Sequence, residues 1–326
     1  MEGYVLPERA GTPGKLMGAA GDALELPDLT AIRAARERIA GFVHRTPVLT
    51  SSSIDRDVGA SLYFKGEHLQ KVGAFKARGA CNAVFSLDDA SAARGVVTHS
   101  SGNHGAALAY AAATRRIPAW VVMPENAPSV KQANVRRFGA RIHLCAPTVA
   151  ARETACAEVA RESGATLIHP FDDPRVIAGQ GTAALELVED APDLDAVIAP
   201  CGGGGLLAGT SITVRAVAPG MRVFGGEPAN ADDAARSFAS GHIEALAPTV
   251  TIADGLRTTL SPRTLAALTT GVDAIVTCSE DAIVAAMRML FERLKQVIEP
   301  SGAVPLACLI EHRTRFAGLR IGVILS

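Results

Sequence analysis

The sequence has no excess of charge of either sign, because 32 lysines and arginines stand against 33 aspartates and glutamates. A strongly basic surface would attract nucleic acid or an anionic membrane, so the net charge of −1 gives no reason to expect either partner. Aromatic residues make up only 4% of the chain, which argues against platforms for base stacking. No apolar run approaches the roughly 20 residues that span a bilayer, and the N-terminus shows no secretion signal.

Cysteine is also scarce, since the chain has six cysteines and no C-x-x-C spacing. Zinc ribbons and redox motifs need that spacing, and small disulfide scaffolds need far denser cysteines. We therefore expect mostly buried thiols in a reducing, cytoplasmic compartment. What the chain does have is length and apolar content. Its 326 residues, 48% of them hydrophobic, predict roughly two soluble domains.

Strand and helix patterns alternate along most of the chain. Residues 1–28 read as an extension rich in Gly, Pro and Ala, and apolar spacing predicts a helix over 29–43. Short β-rich runs then alternate with Ala-rich helical stretches, in units typical of parallel strands joined by helical crossovers. The predicted strands are 62–65, 95–100, 119–123, 140–145, 166–169, 196–200, 222–226 and 321–325. The clearest predicted helix is 280–297, with Ser279 as its N-cap. The pattern predicts an α/β protein with two parallel-sheet domains and ligand sites beyond the carboxyl ends of strands.

Four consecutive glycines, Gly202–Gly205, follow the predicted strand 196–200 and precede a predicted helix over 206–217. Glycine permits positive φ angles and a close approach of the backbone to a ligand. The N–H groups of such a loop, together with the N-terminus of the following helix, form a cradle for an anion. The loop therefore predicts a phosphate site. It also fits the dinucleotide pattern G-x-G-x-x-G/A, with Glu227 about 20 residues further on, so a nicotinamide cofactor is an alternative.

Two further clusters carry chemistry. Lys76 lies among small residues in GAFKARGA, and a lysine is costly to bury there unless it is neutralised or used covalently. A solvated lysine is the alternative. The second cluster, SSGNHG over 100–105, places hydroxyl, amide and imidazole groups at the start of a predicted helix. Such a set predicts a carboxylate-binding loop.

An acidic turn follows the predicted strand 222–226. Glu227 and Asp233, with the carbonyl of Ala231 between them, can offer hard oxygen ligands to a cation. The alternative is a solvated turn that begins a helix near 231–239, where Asp232 would suit the helix dipole. The spacing therefore leaves both a metal site and a solvated turn open.

Taken in order, GAFKARGA, SSGNHGAALA, the glycine tetrad, EPANADD, IADGL and EPSGAVPLA resemble the motifs of fold-type II pyridoxal-phosphate enzymes. Among these, the sequence is most similar to the serine racemase and threonine/serine dehydratase family, from about residue 30 to 326. The ordered set outweighs the single dinucleotide match. The resemblance implies a tryptophan synthase β-like fold. It also implies a large cofactor-binding domain (29–94 and 168–326), a small domain (95–167), a homodimer and an amino-acid substrate.

The resemblance also implies roles for individual residues. Lys76 matches the lysine that attaches the cofactor, and Ser101 matches the second acid/base of racemases. The cofactor-binding set is Phe75, Lys76, Asn103, Gly202, Gly203, Gly204, Gly205, Leu206, Glu299 and Ser326. The substrate-binding set is Ser100, Ser101, Asn103, His104 and Arg152. In the family, the acidic segment holds Mg²⁺ or Ca²⁺, here through Glu227, Ala231 and Asp233.

The expected reaction is loss of the β-hydroxyl of an amino acid to give a 2-oxo acid and ammonia, with racemisation as a second activity. The sequence does not decide whether the substrate is serine, threonine, hydroxyaspartate or a bulkier analogue. Phe171 and Phe138 stand where some racemases carry Asn and Tyr. The sequence shows no regulatory domain, so a feedback-controlled biosynthetic dehydratase is not expected. The alternatives are a racemase, a nicotinamide oxidoreductase and a non-catalytic binding protein.

Overall fold

The computed structural model describes residues 24–100, 102–247 and 250–326. Most of the predicted extension 1–28, and also Ser101, lie outside the described residues. The strands within these ranges are β1 (Val48–Leu49), β2 (Ser61–Gly66), β3 (Val96–His99), β4 (Ala119–Pro124), β5 (Arg141–Cys145), β6 (Thr166–Leu167), β7 (Ala196–Pro200), β8 (Arg222–Pro228), β9 (Ala274–Cys278) and β10 (Arg320–Leu325).

The strands form two sheets. A six-stranded sheet has the order β1-β2-β10-β7-β8-β9, and a four-stranded sheet has the order β5-β4-β3-β6. Every pairing is parallel except that of β1 with β2. The predicted α/β class with parallel sheets is therefore confirmed. The four-stranded sheet is drawn from residues 96–167, while the division into domains with the predicted boundaries stays a prediction.

Helices connect the strands and cover the sheets. They are α1 (Leu29–Ile39), α2 (Ser52–Val58), α3 (Lys76–Phe85), α4 (Asp89–Arg94), α5 (Asn103–Arg115), α6 (Ser129–Arg136), α7 (Val149–Ser163), α8 (Pro174–Asp190), α9 (Gly205–Val217), α10 (Asp233–Ser240), α11 (Pro262–Gly271), α12 (Glu280–Met289), α13 (Pro300–Glu311) and α14 (Arg313–Phe316). Short 3₁₀ turns span Glu67–Leu69, Lys71–Gly73, Ala229–Ala231 and Asp254–Leu256. No helix in the described ranges is long and apolar enough to cross a membrane.

Two helix ends differ from the prediction. The helix predicted over 29–43 ends at Ile39, and Gly41 then has a φ of 80°, outside the helical region. The helix predicted over 280–297 ends at Met289 and continues as a π-helical turn, Leu290–Leu294. The π-helical turn ends at Lys295, which has a φ of 59°. Lysine seldom adopts this left-handed conformation, so the sequence did not predict the end of the helix. The predicted N-cap is confirmed, because the Ser279 side chain accepts the Ala282 N–H.

Both faces of the six-stranded sheet are buried. Along β10, Val323 packs in the cluster with α12 and α13, whereas its neighbour Ile324 packs in the cluster with α9 and α11. On β7, Ile198 lies in the first of these clusters and its neighbour Val197 in the second. Successive side chains of a strand point to opposite faces, so a strand covered on both sides reads as a continuous apolar run. This packing leaves the carboxyl ends of the strands as the accessible edge.

Candidate active site

A cavity of about 310 Å³ opens at the carboxyl ends of strands from both sheets. Its wall contains residues that follow β3, β6, β7 and β10, as expected for an α/β protein. Of the residues predicted from sequence, the cavity wall brings together Phe75, Lys76, Ser100, Asn103, His104, Arg152, Gly202, Gly203, Gly204, Gly205, Leu206, Glu299 and Ser326. Glu227, Ala231 and Asp233 do not line it, and Ser101 lies outside the described residues.

Lys76 begins α3 at the cavity wall. The preceding turn has two left-handed residues, Val72 and Gly73, which bring the chain sharply into the helix. The Lys76 Nζ donates to the carbonyl of Pro170 at 2.8 Å, and no carboxylate among the described residues forms an ion pair with it. Desolvation lowers the pKa of Lys76 to about 8. An amine with that pKa is neutral in a useful fraction of molecules at neutral pH, which suits a nucleophile or base.

The glycine loop packs so tightly that side chains do not fit. A Cβ at Gly203 would lie 2.5 Å from the ring of Phe171, and Gly204 has a φ of 83°. The N–H groups of Gly202–Gly204 donate to no acceptor among the described residues. They lie directly before α9, whose first N–H groups add to the local positive potential. Free N–H groups in a loop that only glycine can form fit a phosphate group.

The SSGNHG segment connects β3 to α5. His104 is buried, with Nε2 3.4 Å from the carbonyl of Ile168, while its Nδ1 has no partner within the described chain. Desolvation, reinforced by the charge of Lys76, lowers the pKa of His104 well below its ordinary value, so the ring is neutral. The Asn103 amide donates to Glu299 at 2.9 Å, and burial raises the pKa of that carboxyl. A buried, neutral imidazole at the cavity wall with one unpartnered nitrogen calls for a polar partner.

Ser326 and Arg152 reach the cavity from the parts of the protein that belong to the six-stranded and the four-stranded sheet, respectively. Ser326 directly follows β10, in the middle of the large sheet, and is 3% exposed. Arg152 lies in the first turn of α7, where its Nε donates to the carbonyl of Thr148 at 3.4 Å. The two side chains thus come from the regions of the two different sheets, and both line the cavity.

The cavity wall also contains residues that were not foreseen, among them His99, Lys131, His169 and Asp254. His99 and His169 contact each other edge to face, with ring centroids 5.2 Å apart, and Lys131 forms an ion pair with Asp254. Asp254 lies in the IADGL motif, which could have indicated it. The other three give no sequence signal, because only the pairing of β3 with β6 and the packing of α6 bring them to the cavity.

The acidic turn is buried rather than solvated. Glu227 accepts the N–H groups of Ala234 and Ala235 at 3.0 and 2.8 Å, at the start of α10. Asp233 is completely buried, and neither of its carboxylate oxygens has a hydrogen-bond partner within the described chain. Burial raises the pKa of Glu227 to about 8 and that of Asp233 to about 6. Asp232, which is half-exposed, pairs with Arg236 instead. Two buried carboxylates, one of them unpartnered, call for a compensating group.

Comparisons with known proteins agree with this geometry. A family described as "Pyridoxal-phosphate dependent enzyme" matches residues 39–326. The β-hydroxyaspartate dehydratase of Paracoccus denitrificans (strain Pd 1222) is 50% identical over 301 residues, which cover 92% of this chain and 96% of that protein. Serine racemase of Oryza sativa subsp. indica is 46% identical over 322 residues, covering 96% and 95%. The solved structure of maize serine racemase superposes with a TM-score of 0.91 at 46% identity, covering 93% of each chain.

The family match decides between the two cofactors that the glycine loop left open. It covers almost the whole described chain and includes both the lysine motif and the glycine tetrad, whereas the nicotinamide alternative rests on the loop alone. The cofactor is therefore pyridoxal phosphate. The chain belongs to the family of pyridoxal-phosphate dependent enzymes.

Proposed function

We propose that this protein is a dehydratase that converts a β-hydroxy amino acid into a 2-oxo acid and ammonia, with 3-hydroxyaspartate as its main substrate. The observation that carries the proposal is the position of Lys76, with its lowered pKa, in one cavity with a loop of free glycine N–H groups. The similar protein from Paracoccus denitrificans, named a β-hydroxyaspartate dehydratase, supports the choice of substrate.

The residues of the cavity fit pyridoxal phosphate without change. When bound, this cofactor withdraws electrons from the Cα of the amino acid attached to it. The N–H groups of Gly202–Gly205 and Leu206 would hold its phosphate, and Phe75 would pack beside it. Asn103 would bond its phenolic oxygen and Ser326 its ring nitrogen. Glu299 holds the Asn103 amide in place. Ser326 carries no charge and so cannot stabilise a protonated ring nitrogen as a carboxylate would, which favours loss of a β-substituent over transamination.

The remaining residues bind the substrate and move its proton. We assign Lys76, in its neutral form, to remove the Cα proton, since its amine reaches the cavity and has no carboxylate partner. Ser100, Ser101, Asn103 and the neutral His104 would bind the α-carboxylate at the N-terminal end of α5. Arg152 would approach the substrate from α7. The Cα proton and the β-hydroxyl are lost together as water, and the enamine that remains hydrolyses to the 2-oxo acid and ammonia.

The proposal is tested by supplying the holoenzyme with L-serine, L-threonine and the isomers of 3-hydroxyaspartate. We expect stoichiometric 2-oxo acid and ammonia, measured by a coupled dehydrogenase assay and an ammonia assay, with the highest kcat/KM for a 3-hydroxyaspartate isomer. Absence of 2-oxo acid from all of these amino acids would contradict the proposal. Inversion at Cα without ammonia would favour the racemase alternative instead.

We further propose racemisation as a second activity, which the similarity to serine racemases supports. Ser101 is the residue on which this activity would depend. Lys76 would exchange the Cα proton from one side of the substrate, so inversion at Cα needs another acid/base on the opposite side. The resemblance assigns that role to Ser101. We expect Ser101→Ala to remove exchange of the Cα proton of D-serine with D₂O, followed by ¹H NMR, and to leave elimination from the L-isomer substantially active. Equal loss of both would mean that Ser101 acts in binding.

We also propose that Glu227 and Asp233, with the carbonyl of Ala231, bind Mg²⁺ or Ca²⁺. The unpartnered, buried oxygens of Asp233 support this, because hard cations take carboxylate and carbonyl ligands. Within the described chain no group of three or more His, Cys, Asp and Glu side chains is placed to hold a metal. Backbone oxygens or water would therefore complete the ligand set.

Removal of divalent cations should lower the melting temperature of the holoenzyme, and Mg²⁺ or Ca²⁺ should restore it, because a ligand that binds only the native state stabilises it. At a concentration of 100 Kd the gain is about 2.7 kcal/mol. Asp233→Asn should abolish the response, whereas Asp232→Asn, at the half-exposed neighbour that pairs with Arg236, should retain it. Scanning calorimetry with and without chelator measures both. An identical melting temperature in the two conditions would show that no cation binds.

The proposal also covers the domain division, the oligomeric state and the cellular compartment. The large cofactor-binding domain would comprise 29–94 and 168–326, and the small domain 95–167, which contains the four-stranded sheet. The family resemblance supports a homodimer. All six cysteines are free, and five of them are buried, which supports a reducing compartment such as the cytoplasm.

A further inference from the structure

The two unforeseen histidines are neighbours because of strand register. Strand β3 pairs parallel with β6, with Val97 opposite Leu167. Two residues further along each chain, His99 and His169 therefore stand side by side at the carboxyl edge of the four-stranded sheet. Their rings meet edge to face at 5.2 Å, and both line the cavity. The pair thus forms one part of the cavity wall.

His169 is held in a single protonation state by the backbone that follows it. Its Nδ1 accepts the N–H of Asp172 at 2.9 Å and that of Phe171 at 3.4 Å. An imidazole whose Nδ1 accepts carries its proton on Nε2, and charging the ring would break both contacts. Desolvation and the neighbouring His99 lower the pKa of His169 to about 4. His169 therefore offers a neutral N–H donor, and Nε2 has no acceptor among the described residues.

Arg152 supplies a positive charge at the same part of the wall. Its guanidinium donates to the carbonyl of Thr148 and forms no ion pair with any described carboxylate. Desolvation lowers the pKa of His99, the charge of Arg152 lowers it further, and the charge of Glu153 raises it, so both charged groups act on this histidine. Arg152 also lines the cavity with the histidine pair. A guanidinium without an acidic partner, on the same wall as the His169 N–H donor, suits a carboxylate.

Most of the acidic side chains near the Arg152 guanidinium are bound to other partners. Asp172, which follows the histidine pair, is bound by Arg263, and Asp173 is bound by Arg175 at 2.7 Å. Of the acids that line the cavity, Asp254 pairs with Lys131, and Glu299 accepts from Asn103. The remaining one, Glu153, is exposed beside Arg152. Arg152 forms no ion pair with Glu153 or with any other described carboxylate, so its positive charge at this wall is opposed by the solvent-screened charge of Glu153 but is not cancelled in an ion pair.

We infer that His99, Arg152 and His169 bind the second carboxylate of a dicarboxylic β-hydroxy amino acid. The inference rests on the proposed function, because the segment Ser100–His104 already accounts for the α-carboxylate. Serine and threonine carry a hydrogen or a methyl group where 3-hydroxyaspartate carries a carboxylate, and they would leave the guanidinium unpaired. A site built to bond a polar group discriminates strongly against an analogue that lacks it. These three residues then determine the preference for 3-hydroxyaspartate.

The test compares the ratio of kcat/KM for 3-hydroxyaspartate to kcat/KM for L-serine in four variants of the holoenzyme. Arg152→Gln and His169→Leu remove the proposed contacts. Arg161→Gln, on the same helix, and His143→Leu, on the same sheet, change the same side chains outside the cavity. We expect the ratio to fall at least about tenfold in the first two, the size of one lost charged hydrogen bond, and to stay unchanged in the controls. An unchanged ratio in Arg152→Gln and His169→Leu overturns the inference.

A binding measurement separates this inference from the proposed function. L-Malate is a four-carbon dicarboxylate without an amino group, and L-lactate is the corresponding monocarboxylate probe. By calorimetry, we expect the holoenzyme to bind malate at least about tenfold more tightly than lactate, and Arg152→Gln to abolish that difference. Equal affinities in the wild type overturn the subsite even if the enzyme is a dehydratase. A malate preference without any 2-oxo acid formation would support the subsite and refute the dehydratase.

Discussion

Lys76→Ala should abolish both covalent attachment of the cofactor and 2-oxo acid formation. Of the lysines that the structure describes, only Lys76 and Lys131 line the cavity, and Lys131 is paired with Asp254. Lys76 has no acidic partner, and desolvation lowers its pKa to about 8. Loss of a positioned general base alone costs about 10²–10⁴ in rate. We therefore expect activity at least about 1,000-fold lower and no visible absorption band in the purified variant.

Two further variants sharpen this result. Lys76→Arg keeps a positive charge at the site, but a guanidinium is not deprotonated in proteins and cannot replace the amine, so we expect it to be as inactive as Lys76→Ala. Lys71→Ala, in the turn before the same helix but outside the cavity, should keep both the band and the activity. Retention of the absorption band in Lys76→Ala would mean that the cofactor is attached elsewhere.

Arg78→Met should be the most destabilising change in the described core. Arg78 is completely buried two residues after Lys76, and its guanidinium bonds Glu67 and Glu186, each at 2.8 Å. Although desolvation opposes it, these two carboxylates raise the pKa of Arg78 above its ordinary value. Glu186 also binds the buried Lys65 at 2.7 Å. Methionine fills similar space but leaves Glu67 without its counter-charge.

Removing one partner of a buried ion pair costs about 3–5 kcal/mol, and we expect a loss of that size in urea denaturation. Arg288→Met breaks an exposed pair with Glu292 and should cost less than about 1 kcal/mol. Combining Arg78→Met with Glu67→Gln should recover part of the loss, because the uncompensated charge is then removed. A loss below about 1 kcal/mol for Arg78→Met would show that the network contributes little to folding.

The sequence predicted best what is local. The glycine tetrad, the lysine motif and the SSGNHG loop each need particular residue types next to each other, so their chemistry is visible without the fold. Regular strand and helix spacing likewise predicted the parallel sheets. The cavity then brings these three segments together, as parallel strands with a common carboxyl edge require.

What the sequence did not predict depends on register or on distant partners. His99 and His169 lie 70 positions apart in the chain and meet only because β3 pairs with β6. Nothing in the sequence around Arg78 indicates that its guanidinium binds Glu186, which lies on α8. The helix predicted to reach residue 297 ended early because Lys295 takes a left-handed conformation that lysine seldom adopts. In each case the deciding contact is tertiary, and residue types alone do not encode it.

The most direct test of the account is to reduce the purified holoenzyme with borohydride and to map the product by mass spectrometry. We expect the visible absorption band to be bleached and a pyridoxyl adduct to appear on the tryptic peptide that contains Lys76. A nicotinamide oxidoreductase or a non-catalytic binding protein would give neither result. An adduct on Lys131 or any other lysine, or no adduct at all, would contradict the assignment of the active site.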